Sequence, residues 1–275
     1  MKHAVLTTGQ PLQQHPTFAA ALHHCGVIVE NEGCIITAQD YGPLGQLRLV
    51  TRGPAWHPDP AARLADYQAL RDHKVRILNA EHGDPALLKA AGFRQIMTPA
   101  TIAERHLSDP DLADGMQQKW RNRWRKAENN PPRVQHRGFR PAQDGWLLDA
   151  DAAQQKAKRF RNYPRALTSA YVAQGADASR LFIAHSKDGP AAALLFLHHK
   201  PRATYHIGWA NTEARKSNWH ALLMTHAMTY YQQHGYACLD LGRIDTLNAP
   251  HLARFKLGSG AVARPLGGTW LRLGL

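Results

Sequence analysis

Two stretches of the chain carry residue types able to hold and activate a charged substrate. The first, KWRNRWRKAENN at residues 119–130, sets Lys119, Arg121, Arg123, Arg125 and Lys126 around two tryptophans. On a helix, Trp120, Arg123 or Trp124, and Ala127 share a face with Met116. Arg121 and Arg125 then lie four apart on another face, expected to be exposed, and Lys119, Arg123 and Lys126 on a third. No acidic residue offsets these cations before Glu128, and like charges four apart cost a helix about 0.2–0.5 kcal/mol per pair unless an anion is present. The pattern suits a grip on a polyanion; the plainer alternative is a solvated helix whose tryptophans are core. The second stretch, RFKLGSG at 254–260, puts Lys256 at the end of a short helix beside a glycine-rich turn. An ammonium so placed can meet a phosphate or a developing oxyanion, against the alternative of a simple loop lysine. The G-x-x-x-x-G-K-[ST] pattern of a P-loop does not occur.

Charge points the same way. Thirty-four Lys+Arg against 21 Asp+Glu give a formal net charge of +13, and 17 histidines add to it in mild acid. Such a surface attracts RNA, DNA, anionic lipid or cofactor phosphates. Met1 to Pro16 shows no apolar run behind a basic start, and no stretch of about 20 apolar residues could insert into a membrane, so a cytoplasmic protein is expected. Cys25, Cys34 and Cys238 lack C-x-x-C spacing and are expected to be inert thiols in or near the core. His23-His24, His198-His199, His220 and His226 form no H-E-x-x-H pattern, so no metal site is expected.

The elements that must position these residues follow from periodicity. Residues 26–30 and 34–39 flank an Asn-Glu-Gly turn as a hairpin, 47–52 continues as a strand, and Asp59-Pro60 opens a helix that returns through a strand at 74–79. Asp84-Pro85 starts a second short helix. After a polar, helical middle at about 149–174, strands are expected at 180–185, 191–199 and 203–209, a helix at 215–234 and a strand at 237–241. On that helix Trp219, Leu222, Leu223, His226 and Tyr230 fall on one stripe, which places His226 in the core. Residues 47–81 and 204–242 share one order: strand, loop, amphipathic helix, strand. Two related α/β units are therefore expected, with residues 1–140 as one domain and 141–275 as the other, divided where Asn129-Asn130-Pro131-Pro132 ends the basic helix.

The order of these features resembles the Fem-type (FemAB-like) aminoacyltransferases of the GNAT superfamily. The resemblance is carried by RLVTRGPAWHPD (48–59), LLKAAGFRQI (87–96), MQQKWRNRWRKAE (116–128), and the run from Tyr205 through DLG at 240–242 into RFKLGSGA. It implies an α/β (α+β) fold of two GNAT-like units, each a mixed sheet flanked by helices. It further implies amide formation: an aminoacyl group passes from aminoacyl-tRNA, or in looser relatives an acyl group from a thioester, to an amine on a peptide, cell-wall precursor or small molecule. The long coiled-coil insertion of the larger members is missing. The lysine of the family's F-K pattern falls on Lys256, which is expected to stabilise the oxyanion with Arg254 in support. Tyr205 and His206 are candidates for proton transfer. Asp240 is a candidate to orient the acceptor amine, or else structural.

Acyl-CoA-dependent members of the superfamily hold pyrophosphate on a Q/R-x-x-G-x-G/A turn. The matching junction here, IGWANTEARKSNWHALL, has no glycine after Gly208, although the side chains of Arg215, Lys216, Ser217 and Asn218 could meet phosphates. Aminoacyl-tRNA is thus the favoured donor and co-substrate, acyl-CoA the alternative. Neither a metal nor a redox cofactor is called for. A non-catalytic RNA-binding module is a further alternative, which no RNP, KH or zinc-knuckle signature supports.

Overall fold

The hairpin near residue 30 is present: β1 (Ile28–Asn31) and β2 (Ile35–Asp40) pair antiparallel with Ile28 opposite Ala38. It belongs to a computed structural model that describes residues 9–31, 33–108 and 111–273; Glu32 of the expected turn lies outside them. The chain continues through β3 (Gln46–Gly53), β4 (Ile77–Ala80), β5 (Arg94–Met97), β6 (Thr101–His106) and β7 (Arg133–Arg137). It then forms β8 (Ser179–Ser186), β9 (Gly189–His199), β10 (Arg202–Ala210), β11 (Cys238–Ile244), β12 (Val262–Pro265) and β13 (Gly268–Leu271). The helices are α1 (Pro16–His24), α2 (Pro60–Asp72), α3 (Pro85–Ala90), α4 (Gln118–Glu128) and α5 (Pro141–Lys158). After them come α6 (Arg165–Val172), α7 (Thr212–Lys216), α8 (Trp219–Gln233) and α9 (Pro250–Gly258).

Two compact units result, each a mixed sheet with helices. One comprises residues 1–101 and 264–275, the other 102–263. The division expected near residue 140 is corrected on both counts. Polar residues 129–132 end α4, but Trp120 and Ala127 of that helix sit in the same core as Phe182, Phe196, Leu222 and Leu223, so the basic helix belongs to the second unit. The C-terminal β13 returns to the first, between β4 and β5 and antiparallel to both, carrying the fully buried Trp270 into its core. Trp270→Ala is therefore expected to destabilise the first unit by about 3–5 kcal/mol, read as a lower urea midpoint at unchanged slope.

Each unit contains a parallel strand–helix–strand crossover, and these are the two segments whose order repeats in the sequence. In the first unit β3 and β4 flank α2. Asp59 caps that helix through Ala61 N (3.0 Å) and Ala62 N (3.3 Å), Pro60 takes its first position, and Tyr67 and Leu70 face inward. In the second unit β10 and β11 flank α7 and α8. The antiparallel run β7-β8-β9-β10 precedes β11 there.

The helix expected over 215–234 is broken. Asn218 adopts a left-handed backbone (φ 58°) and separates α7 from α8. Helix α8 is buried nearly all round, because the sheet covers one side and α4 packs on another. A single-stripe reading fails for such a helix, and His226, expected in the core, is exposed. Cys34 and Cys238 are buried as expected, whereas Cys25 is exposed. Among the described residues, no helix is long and apolar enough to cross a membrane.

Candidate functional site

The second unit opens where its parallel strands part. β10 and β11 pair only from Arg202↔Cys238 to Thr204↔Asp240, yet β10 runs on to Ala210 and β11 to Ile244. A register shift between Tyr205 and Ile207 leaves His206 as a bulge on β10 at the point of divergence, a device that bends a strand and re-aims its side chains. In the first unit the corresponding strands stay paired to Gly53↔Ala80. Their end is filled by a buried ion cluster in which Arg52 Nε meets Glu81 Oε2 at 2.6 Å and Arg264 also pairs with Glu81. Of the two crossovers, the second is the one with an open strand end.

Lys256 reaches β11 just past the point where the strands part. It is 6% exposed on α9 and donates from Nζ to Arg243 O on β11 at 2.8 Å. Burial pulls its pKa down to about 8, against the opposing pull of the Asp240 carboxylate. Asp240 is fully buried. It accepts from Gly242 N at 2.7 Å and lies 3.8 Å from Arg202, which also pairs with Glu104. Asp240 therefore shapes the field and the left-handed bend at Gly242 (φ 75°) beside Lys256, and a carboxylate sealed to this degree is out of reach of an acceptor amine. Arg254, two residues before Lys256, is exposed and bonded to Pro250 O of its own helix at 3.2 Å. Residues two apart on a helix do not face one another, so the expected support of Lys256 by Arg254 is absent.

Tyr205 and His206 leave the bulge in different directions. Tyr205 packs on Phe196, and its ring closes over Gly208, where any side chain would overlap the phenol hydroxyl. Burial raises its pKa, with the Asp151 charge adding to the shift, which keeps the phenol protonated. His206 shares a 2.8 Å hydrogen bond between Nε2 and Thr168 Oγ1, and burial pushes its pKa down to about 4. A general base works best with a pKa near the working pH, so of the two directions of proton transfer the protonated Tyr205 phenol suits donation.

Past the divergence, β10 carbonyls are taken by side chains. Asn162 Nδ2 donates to His206 O (3.1 Å), Gln154 Nε2 to Gly208 O (3.2 Å), and His220 Nε2 bonds Trp209 O (2.9 Å). Sequence reading missed all three, since nothing in the spacing of Gln154, Asn162 and His220 ties them to one strand. The strand-to-helix junction is itself filled by α7, where Asn211 Oδ1 takes the Ala214 N–H at 2.9 Å. Arg215 and Lys216 of α7 are exposed, while Asn218 takes the left-handed cap of α8 without a side-chain capping bond.

Helix α4 stands beside α9. Gln117 N donates to Gly258 O at 3.0 Å, and Trp120 packs on Phe255 and so closely on Gly258 that a Cβ there would meet its ring at 2.6 Å. The two stretches singled out in the sequence are thus one assembly. Lys119, Arg123, Arg125 and Lys126 are exposed; Arg121 is half-buried with a sealed, unpaired Nε, which corrects its expected exposure. Among the described residues no group of three or more His, Cys, Asp or Glu side chains could hold a metal ion.

No curated protein matches the chain. Among solved structures it is similar to FemX, at 11% identity and a TM-score of 0.75 over 98% of this chain and 94% of that one. It is also similar to L-PGS from Bacillus licheniformis, at 14% identity and a TM-score of 0.61 over 96% and 94%. A tandem GNAT protein from the clavulanic acid biosynthesis pathway follows at 14% and 0.50 over 97% and 91%. These likenesses establish the fold, two GNAT-like units in tandem. Residues 115–257, which hold α4, the diverging strands and Lys256, match the family described as the acetyltransferase (GNAT) domain. The chain belongs to the GNAT acetyltransferase-domain family.

Proposed function

We propose that the second unit transfers an aminoacyl group from aminoacyl-tRNA to an amine acceptor, forming an amide. The observation that carries the choice of donor is the filled edge of β10. A pantetheine arm is an extended chain of amides, which binds most readily by adding to a free strand edge. Here Asn162 and Gln154 already occupy the carbonyls of His206 and Gly208, and Asn211 Oδ1 takes the Ala214 N–H at the strand-to-helix junction where a pyrophosphate would bind. The exposed cations of α4 suit a longer polyanion instead.

An aminoacyl ester is already activated, so positioning and charge stabilisation supply most of the catalysis. The amine nitrogen attacks the ester carbon, the carbon–nitrogen bond forms, the bond to the ribose oxygen breaks, and the amine proton ends on that oxygen. Lys256 stabilises the oxyanion that develops between those events, with Asp240 holding the turn beside it. Arg215 and Lys216 extend the donor contacts. Aminoacyl-tRNA is a cytoplasmic species, and the same reading makes this a cytoplasmic enzyme.

Incubation with labelled aminoacyl-tRNAs and, separately, labelled acyl-CoAs tests the reading. The expected result is deacylation of an aminoacyl-tRNA that depends on added amine. Release of acyl groups from acyl-CoA alone would make the protein an acetyltransferase in the narrow sense. tRNA binding with no turnover of either donor would make it an RNA-binding module.

A further inference from the structure

Helix α5 buries an acidic residue that the chemistry of Lys256 leaves idle. Its inward stripe is Asp144, Leu147, Leu148 and Asp151, at the spacing i, i+3, i+4, i+7 of a core-facing surface. Asp144 is plainly structural, since both its oxygens take Arg137 at 2.6 Å and Oδ2 accepts the Arg140 N–H at 2.8 Å. Asp151, 5% exposed, is used only in half. Its Oδ2 accepts from Gln155 Nε2 (2.8 Å) and Asn162 Nδ2 (3.3 Å), while Oδ1 makes no bond and is not sealed from solvent. A carboxylate so desolvated is costly unless both oxygens are eventually paired.

Its position gives the missing partner a character. The nitrogen of Asn162 that reaches Asp151 also donates to His206 O, the bulged residue where β10 leaves β11. Asn162 N in turn donates to Gln155 Oε1 at 3.0 Å, which fixes the 159–164 loop against the helix. The carboxylate is thereby held beside the divergence and close enough to Tyr205 for its charge to be felt there. Among the described residues no cation pairs with Oδ1, whereas the other carboxylate of the stripe has its arginine.

We infer that Asp151 Oδ1 is the recognition point for the ammonium group of a primary-amine acceptor. The assignment takes the second unit to be an acyl transferase and names the charged group by which its acceptor docks. Burial raises the pKa of Asp151 although Gln155 and Asn162 pull it back, so the same oxygen is suited to take the proton an ammonium must lose before it attacks. In that step an N–H bond breaks, an O–H bond forms on Oδ1, and a neutral amine remains.

The test needs no donor. Protein labelled with carboxyl-¹³C aspartate is titrated with triglycine, with 1,5-diaminopentane and with N-acetyltriglycine; the Asp151 resonance is identified by its absence in Asp151→Asn. The free amines are expected to move that resonance saturably at millimolar concentration and the acetylated peptide to leave it in place. Affinity for the amines is expected to fall at least about tenfold in Asp151→Asn, as for loss of one hydrogen bond to a charged group. An Asp151 signal that ignores both amines, or that follows the acetylated peptide equally, overturns the assignment; where Asp151→Asn does not fold, Asp151→Glu, which keeps the charge, identifies the resonance in the same way. A failure of the donor reading would appear separately, as absent aminoacyl-tRNA turnover with the amine titration intact.

Discussion

Lys256→Met is expected to lower kcat by about a hundredfold to a thousandfold with little change in donor KM, the signature of an interaction made in the transition state. Methionine keeps the packing of a side chain that is 6% exposed while removing its charge. The pH profile sharpens the prediction. Lys256 is held near pKa 8 by burial, below its ordinary 10.5, so the ammonium is present below about pH 8 and is lost above it. Activity of the wild type should fall through pH 8, and this limb should be missing from the residual activity of Lys256→Met. Stability moves the opposite way: between about 8 and 10.5 the unfolded chain binds more protons at this site than the folded one, so the destabilisation present below pH 8 is relieved as pH rises. A loss of rate above pH 8 without unfolding separates the catalytic charge from general alkaline damage. If Lys256→Met raises only donor KM, the ammonium is a phosphate clamp.

Replacing Lys119, Arg123, Arg125 and Lys126 together with alanine is expected to act on binding alone. With about four phosphate contacts from α4, wild-type affinity for tRNA should fall at least roughly a hundredfold between about 50 and 200 mM salt, and the quadruple variant should lose that part of the dependence. Turnover at saturating donor should survive. Stability should change by no more than about 0.5 kcal/mol per site, since all four side chains are exposed. Arg121 is left in place because its half-buried stem packs against the protein, and its loss would mix packing with charge. An unchanged salt slope would show that the polyanion lies elsewhere.

What the sequence displayed was local. Strands β8 to β11 and helix α2 follow from alternation, caps and turn residues, and the F-K pattern located Lys256 on a short helix. The pairing of β13 inside the first sheet was invisible, since four residues at the chain end carry no sign of which strands they join. For the same reason the domain division was misplaced: a Pro-Pro break ends a helix but says nothing about the core its tryptophans fill. Helix α8 misled because burial on several sides erases the polar face that a stripe analysis depends on. Asp240 illustrates a third limit. Its place on a strand was readable, whereas its complete burial under Arg202 and Glu104 arises from residues 38 and 136 positions away. Asp151 was passed over because one acidic residue in a polar helix has no distinguishing spacing until the loop at 159–164 folds over it.

Site-directed mapping of the donor end tests the central claim most directly. An aminoacyl-tRNA analogue with a photoreactive group on its aminoacyl moiety and a non-hydrolysable link would be irradiated on the protein and the labelled peptides sequenced. Label is predicted within residues 205–209 of β10 and 242–256 spanning the end of β11 and α9, where the strands part and Lys256 meets β11. Label confined to residues 28–97, the closed crossover and its neighbours, or no label under conditions where a photoreactive acyl-CoA marks the same strands, would contradict it.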